Sequence, residues 1–164
     1  MSNRSVNTRT VKDSMGKLEI PVDVLHGAQT QRAVDNFPIS GRKMPEEFIR
    51  ALLLIKLNAA KANLQLKTLD DPIVTAIVDA CEELMDDKQL MNHFPVDVFQ
   101  TGSGTSSNMN ANEVIATVAT KKLGDEVNPN DHVNFGQSSN DVIPTAIHVS
   151  AVLTVNGTLL PALK

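Results

Sequence analysis

A long stripe of apolar residues, recurring at spacings of three and four, constrains this chain more than any other feature. It begins after Pro45 and has the spacing of one buried face of an α-helix. Pro45 followed by Glu46 and Glu47 is typical of a helix start, because proline fits the first turn and acidic side chains favour the positive end of the helix dipole. The stripe consists of Phe48, Leu52, Ile55, Ala59, Ala62 and Leu66.

Further segments extend this helical pattern. Asp70 or Asp71 ahead of Pro72 predicts a second helix start, with one apolar face formed by Ile73, Ile77, Cys81 and Leu84. A third apolar pattern follows residue 113 and ends at Gly124, a typical C-cap. A last helix is predicted from near Ser139, with a core stripe of Ile147, Ala151, Val155 and Leu159.

The remaining segments predict little regular structure. Leu18 to Ile20 alternates like a brief strand that Pro21 ends. Residues 1–12 are interpreted as a loose terminus, and the polar segment before Gln137 as a surface loop. His26 and His148 are interpreted as structural histidines, and the acid pairs 82–83 and 86–87 as a solvated helix face. The predicted fold is therefore mainly α, with short β segments near the start.

The composition narrows the class of protein. The chain has 164 residues, enough for one domain with a core, and is 41% hydrophobic. A net charge of -4 and an aromatic content of 3% argue against nucleic-acid and anionic-membrane partners. Cys81 is the only cysteine, so no internal disulfide is possible and a reduced, cytoplasmic setting is expected. No stretch is read as approaching the roughly 18 apolar residues of a membrane span.

A polar, glycine-rich stretch interrupts the helical pattern at residues 100–113. Gly102 and Gly104 permit backbone angles that other residues avoid, so main-chain N–H groups can converge on one point. The stretch also supplies hydroxyls and amides just ahead of a helix, where an anion is favourably held. Ordinary capping and turn residues explain the same composition. The P-loop and dinucleotide motifs do not fit, since the required lysine or third glycine is missing.

A second stretch repeats this chemistry and reveals a resemblance. Asn128 to Asn134 leads into Gly136-Gln137-Ser138-Ser139-Asn140-Asp141, again at a predicted helix start. Together with Thr101-Gly102-Ser103-Gly104-Thr105, these residues closely resemble the N-terminal part of class II fumarase, in the fumarase/aspartase superfamily. The resemblance runs from about Lys12, through Gly27-Ala28-Gln29-Thr30-Gln31-Arg32, to the last residue.

The resemblance implies a fold, a domain division and an activity. Residues 1–137 would form the N-terminal lyase domain, and residues 138–164 the first helix of the central helical-bundle domain. Family members continue far beyond Lys164, so the chain is expected to be an N-terminal fragment. The implied reaction is the reversible hydration of fumarate to L-malate in the tricarboxylic acid cycle, without cofactor or metal. Family enzymes are homotetramers whose active sites combine three subunits.

The resemblance also assigns substrate-binding residues. In the first loop these are Ser103, Gly104 and Thr105, and in the second Ser138, Ser139 and Asn140. Asn108 and Asn110 are further candidates. The catalytic base of the family is a serine on a loop beyond Lys164, so no catalytic residue is expected within this chain, and the chain alone is expected to be inactive.

A second dicarboxylate site is implied at Asn128, Pro129, Asn130 and Asp131. Typical fumarases have histidine where this chain has Asn128, and an asparagine cannot carry positive charge near neutral pH. Any second site is therefore expected to be weakened.

Two alternatives remain open. Aspartate ammonia-lyases of the same superfamily often have asparagine at the position of Asn128, but they usually read Ala-Gly-Ala-Gly-Thr in the first loop and Ser-Thr-Asn in the second. Ser103 and Ser139 therefore favour a fumarase. A non-catalytic assembly module is the other alternative, although intact substrate loops would then have no role.

Overall fold

The computed structural model describes residues 7–164. Two antiparallel strands, β1 (Thr8–Asp13) and β2 (Gly16–Pro21), form a hairpin. The helices are α1 (Ala28–Asn36), α2 (Glu46–Gln65), α3 (Asp71–Asp86), α4 (Thr105–Leu123), α5 (Ser139–Thr154) and α6 (Leu160–Leu163). Short 3₁₀ turns span Leu90–His93 and Gly102–Gly104, and π-helical turns span Pro129–Val133 and Val155–Leu159. The predicted mainly α architecture is confirmed.

The core lies where α2, α3 and α4 pack together, with the first half of α5 against α2. Aliphatic side chains form most of it, with Phe48 and Phe94 as its aromatic members, in agreement with the low aromatic content. Cys81 belongs to this core and is fully buried, and burial raises the pKa of its thiol to about 12. It therefore acts as a small apolar side chain at neutral pH, as its position in the α3 stripe predicts.

Local signals at the helix ends are confirmed. Pro45 precedes the first residue of α2, and Asp70 is the N-cap of α3 with Pro72 in its first turn. Gly124 ends α4 with a φ of 77°, the left-handed conformation that a C-terminal glycine supplies. Acidic pairs 82–83 and 86–87 lie at the surface or partly exposed.

Three sequence interpretations are corrected. Thr8–Asp13 is a strand paired with β2 rather than a loose terminus, while residues 1–6 lie outside the described residues. The α2 stripe is right for Phe48 and Leu52 but wrong for Ala62 and Leu66, which are exposed, while Leu64 packs against the core at this end. The segment before Gln137 is partly helical and buries Val127 and Val133.

The end of the chain departs from the sequence interpretation in another respect. His148 is exposed rather than packed, which corrects its interpretation as a structural histidine. The stripe residues Ile147, Ala151, Val155 and Leu159 are exposed too, as expected for the first helix of a bundle domain without its other helices. The continuous helical stretch Ser139–Leu163 is long enough to cross a membrane, and an 18-residue window within it has a mean hydropathy of 1.5. This finding contradicts the expectation that no stretch approaches a membrane span. Core helices of soluble proteins reach the same length and hydropathy, however. Its apolar surface lacks a covering element among residues 7–164.

Candidate substrate-binding site

The first loop turns sharply before α4. Ser103 has a φ of 60° and Gly104 a φ of 66°, so two successive residues adopt the left-handed conformation. Glycine accepts this angle without strain, whereas serine does so rarely, and Ser103 is exposed at the tip of the turn. α4 then begins at Thr105, so its free N–H groups lie directly behind the loop.

The second loop meets the first at its helix start. Ser138 is the N-cap of α5, and its Oγ accepts a hydrogen bond of 3.2 Å from the backbone N–H of Asn140. The Thr105 Oγ1 and Ser139 Oγ lie 3.2 Å apart. The N-terminal ends of α4 and α5 therefore converge, each contributing a hydroxyl and a positive dipole end.

Gly104 is required where the loops meet. A Cβ on this residue would lie 3.0–3.1 Å from three side-chain carbons of Ile143 on α5, in addition to the strain of its positive φ. We expect Gly104→Ala to lower the free energy of unfolding by about 2 kcal/mol, measured by urea denaturation. Gly102→Ala is the matched control, since no atom would lie within 4 Å of its Cβ. Equal losses in both variants would contradict the predicted clash.

A cavity of about 370 Å³ opens beside Thr105. Thr101, Ser106 and Met109 line one side of it, and the β1–β2 turn and α1 line the other. Arg32 of α1 contributes a guanidinium that is paired with Asp13, its Nε 2.8 Å from the carboxylate Oδ2. The volume of this cavity is large enough for a small dicarboxylate. Among the predicted substrate residues, however, only Thr105 lines the cavity.

Asn108 and Asn110 lie inside the protein rather than at the loop surface. Asn110 donates to the backbone carbonyl of His93 at 3.0 Å, which fixes the segment ahead of the first loop. Asn108 donates to Asn134 Oδ1 at 3.2 Å. Both asparagines are more than nine-tenths buried, so they support the loop from behind.

Asp97 anchors the chain leading into the first loop. Its carboxylate accepts from the backbone N–H groups of Phe99, Ser40 and Gly41 and from the Ser40 hydroxyl, at 2.7–3.0 Å. Burial opposes the ionisation of Asp97, but these hydrogen bonds outweigh it and lower the pKa to about 2.

Lys56 is a further feature that the sequence analysis missed. This α2 residue is fully buried, and its Nζ donates to Asn134 Oδ1 at 2.8 Å and to Gln137 Oε1 at 2.9 Å. Gln137 directly precedes Ser138 in the chain, and Asn134 lies four residues before Ser138. Burial lowers the pKa of Lys56 from 10.5 to about 7. The available signal was the spacing of this lysine, four residues after Leu52 and three before Ala59, which places it on the apolar face of the helix.

The lowered pKa of Lys56 makes stability depend on pH. Above about pH 7 the folded chain binds fewer protons at this residue than the unfolded chain, so stability rises with pH by up to about 1.4 kcal/mol per unit. We expect Lys56→Met to remove this slope between about pH 7 and 8.5, where the Cys81 thiol stays largely protonated in both states. Urea denaturation across this range measures it. The exposed Lys61→Met variant should keep the slope, and parallel lines for wild type and Lys56→Met would contradict the assignment.

Glu113 of α4 forms a second buried junction. Its carboxylate accepts from the backbone N–H groups of Gly27, Gln29 and Thr30 at 2.9–3.0 Å and from the Thr30 hydroxyl at 2.6 Å. These donors belong to the start of α1, so one side chain fixes α1 on α4. A Cβ on Gly27 would lie 2.8 Å from Glu113 Oε1, which explains the glycine at this position.

His26 lies beside this junction and is buried. Its Nε2 lies 3.1 Å from Gln31 Oε1, in agreement with the interpretation of His26 as a structural histidine.

Asn128 serves mainly its own turn. Its side-chain oxygen accepts from the backbone N–H groups of Asn130 and Asp131, at 2.8 and 3.0 Å, and caps the turn Pro129–Val133. A cavity of about 400 Å³ lies nearby against α4, with Arg9, Lys12 and Lys121 in its lining. Of the residues predicted for a second dicarboxylate site, only Pro129 lines this cavity.

Within residues 7–164, no group of three or more His, Cys, Asp or Glu is arranged to hold a metal ion.

Comparison with known proteins first defines the class. A family model described as "Lyase" matches residues 16–164, and the chain belongs to this lyase family. More specifically, it is 62% identical over 158 residues to "Fumarate hydratase class II 2" of Pseudomonas aeruginosa, a match that covers 96% of this chain and 34% of that protein. It is also 53% identical over 165 residues to the class II fumarate hydratase of Halobacterium salinarum, a match that covers 98% of this chain and 35% of that protein.

A solved structure agrees with these relatives. The crystal structure of recombinant class II fumarase from Schistosoma mansoni has a TM-score of 0.91 and 41% sequence identity, covering 96% of this chain and 34% of that one. The resemblance to the N-terminal region of class II fumarases is thereby confirmed. The chain spans about a third of the length of the curated relatives it matches.

Proposed function

We propose that this chain forms the N-terminal part of a class II fumarate hydratase, which interconverts fumarate and L-malate. The observation that carries the proposal is the contact between Thr105 and Ser139, which brings the N-terminal ends of two long helices to one point. Two positive dipole ends and neutral hydroxyl donors are well suited to a dianionic substrate.

The two loops provide the grip for the substrate carboxylates. Ser103, Gly104 and Thr105 would bind from the first loop, and Ser138, Ser139 and Asn140 from the second. Hydration of fumarate passes through a carbanion stabilised by a neighbouring carboxylate, and fixed donors at that carboxylate lower the barrier because they need no reorganisation. Proton transfer falls to residues outside this chain, so we expect the isolated 164-residue chain to be inactive.

The proposed domain division follows from the same elements. Residues 1–137 would form the N-terminal lyase domain and residues 138–164 the start of the central helical domain. The exposed apolar surface of α5 supports this division, since helices of a tetrameric bundle would cover it. A homotetramer in the cytoplasm, acting in the tricarboxylic acid cycle, is part of the proposal.

Asn128 bears on the second dicarboxylate site. We place this site at residues 128–131, and its asparagine already uses the side-chain oxygen to cap the turn. Only the amide NH₂ remains to contact a ligand, and it is uncharged. Binding there would therefore be weak.

Fumarate absorbance, measured with the protein expressed from the complete reading frame, tests the proposed function. We expect the signal to fall without added ammonium and L-malate to accumulate. A fall that requires ammonium would instead establish an aspartate ammonia-lyase, the alternative that Asn128 favours. A reading frame that ends at Lys164, with no turnover in either condition, would favour a non-catalytic assembly module.

A further inference from the structure

Lys56 lies where three parts of the candidate site are joined. Its Nζ contacts Asn134 Oδ1 and Gln137 Oε1, and the same Asn134 oxygen accepts from Asn108 of α4. Asn134 in turn donates to the backbone carbonyl of Gln137 at 3.2 Å. One amine on α2 therefore connects the helix behind the first loop with the segment that leads into the second.

The cost of burying this amine indicates a specific role. Lysine is rarely buried completely, because an ammonium loses its hydration there. A neutral amine has two N–H groups, and Lys56 has two amide oxygens within hydrogen-bond distance, so a neutral Lys56 would be fully satisfied as a donor. An apolar residue of equal size would fill the space but leave both oxygens without this donor.

Small displacements of this segment reach the substrate loops directly. Gln137 is bonded to Ser138 along the chain, and Gln137 Nε2 also donates to the backbone carbonyl of Val133 at 2.9 Å. Side-chain contacts thus fix both ends of the segment 133–137. The 3.2 Å separation of Thr105 and Ser139 depends on where this segment ends.

We propose that Lys56 is a positioning residue for the substrate site: by holding Asn134 and Gln137 against Asn108, it sets the second loop, 138–140, in register with the first loop, 103–105. This inference rests on the proposed function for its substrate, but the positioning itself is measurable without it. Within residues 7–164, the side-chain hydrogen bonds of Lys56 go to Asn134 and Gln137 and not to the residues assigned to the substrate.

Hydrogen exchange of the full-length protein measures the positioning. We expect Lys56→Met to speed exchange of the backbone amides in the segment 134–140 about ten-fold or more, with exchange in α3 unchanged. Lys61→Met is the matched control, because this lysine lies on the same helix but is exposed, and it should behave as wild type. Gln137→Met removes one of the two acceptors together with the hydrogen bond from Gln137 Nε2 to Val133, so it should also speed exchange in this segment and shows the size of change that a loosened segment gives.

Steady-state kinetics with fumarate measures the consequence. Displacement of the second loop, 138–140, weakens binding of the substrate carboxylates. KM should therefore rise about ten-fold or more in Lys56→Met, while kcat falls less. A variant that is only less stable would keep KM at temperatures well below its unfolding. Lys61→Met should leave both constants within two-fold of wild type.

The outcomes separate this inference from the proposed function. Unchanged exchange at 134–140 in Lys56→Met overturns the inference, and so does faster exchange with an unchanged KM. If the wild-type protein neither binds nor converts fumarate, the proposed function fails, and the exchange result alone decides whether Lys56 holds the two loops together. If Lys56→Met does not fold, Lys56→Gln supplies the same comparison, because its amide falls one bond short of Asn134 and Gln137.

Discussion

Replacing Thr105 by valine should lower kcat/KM for fumarate by about 100-fold or more in the full-length protein, since loss of one preorganised donor to a developing negative charge has an effect of this size. Valine has nearly the shape of threonine but no hydroxyl. The hydroxyl lies 3.2 Å from Ser139 Oγ and at the first residue of α4, the point where the two loops meet. Initial rates of fumarate loss measure the effect.

Thr105→Ser is the matched control. It keeps the hydroxyl and removes only a methyl group, so we expect it to retain activity within about ten-fold of wild type. Thr105 also donates to the carbonyl of Gly102, so a loss of folding must be excluded by comparing the unfolding temperatures of the two variants. Equal activity of the valine and serine variants would place the substrate elsewhere.

The elements predicted correctly from the sequence depend on local chemistry. Gly124 ends α4 and Ser138 caps α5 because the residue types at helix ends act on groups only a few positions away. The turn at Gly102–Gly104 is recognisable for the same reason. Identification of these loops as substrate loops came from the resemblance, since glycine and hydroxyl residues alone equally fit a capped turn.

The features that were missed depend on residues distant in the chain. Lys56 is 78 positions from Asn134, and Glu113 is 83 positions from Thr30. The sequence around Lys56 and Glu113 does not indicate which residues form hydrogen bonds with them. Polar side chains at positions where a helix pattern expects apolar ones were the only local signals, and such signals do not specify what the side chain binds.

α5 has two contrasting halves. Val142, Ile143 and Ala146 are buried against the rest of this chain, whereas the following turns expose their apolar side chains. The first half therefore fixes Ser138 to Asn140 at the loop junction, and the second half presents apolar surface of the kind that marks an interaction site. In the proposed homotetramer, one helix would link assembly and substrate binding.

Glu113→Ala should lower the free energy of unfolding of this chain by about 3 kcal/mol or more, because three backbone N–H groups at the start of α1 would lose a charged acceptor inside the protein. The negative charge also stabilises the positive end of α1, which has no acidic residue of its own in the first turn. α1 lines the cavity beside Thr105, so its loosening should reduce activity as well. Urea denaturation measures the loss, with Glu82→Ala as the control because Glu82 is exposed on α3. A loss no larger than that of the control would show that α1 is held by its apolar contacts instead.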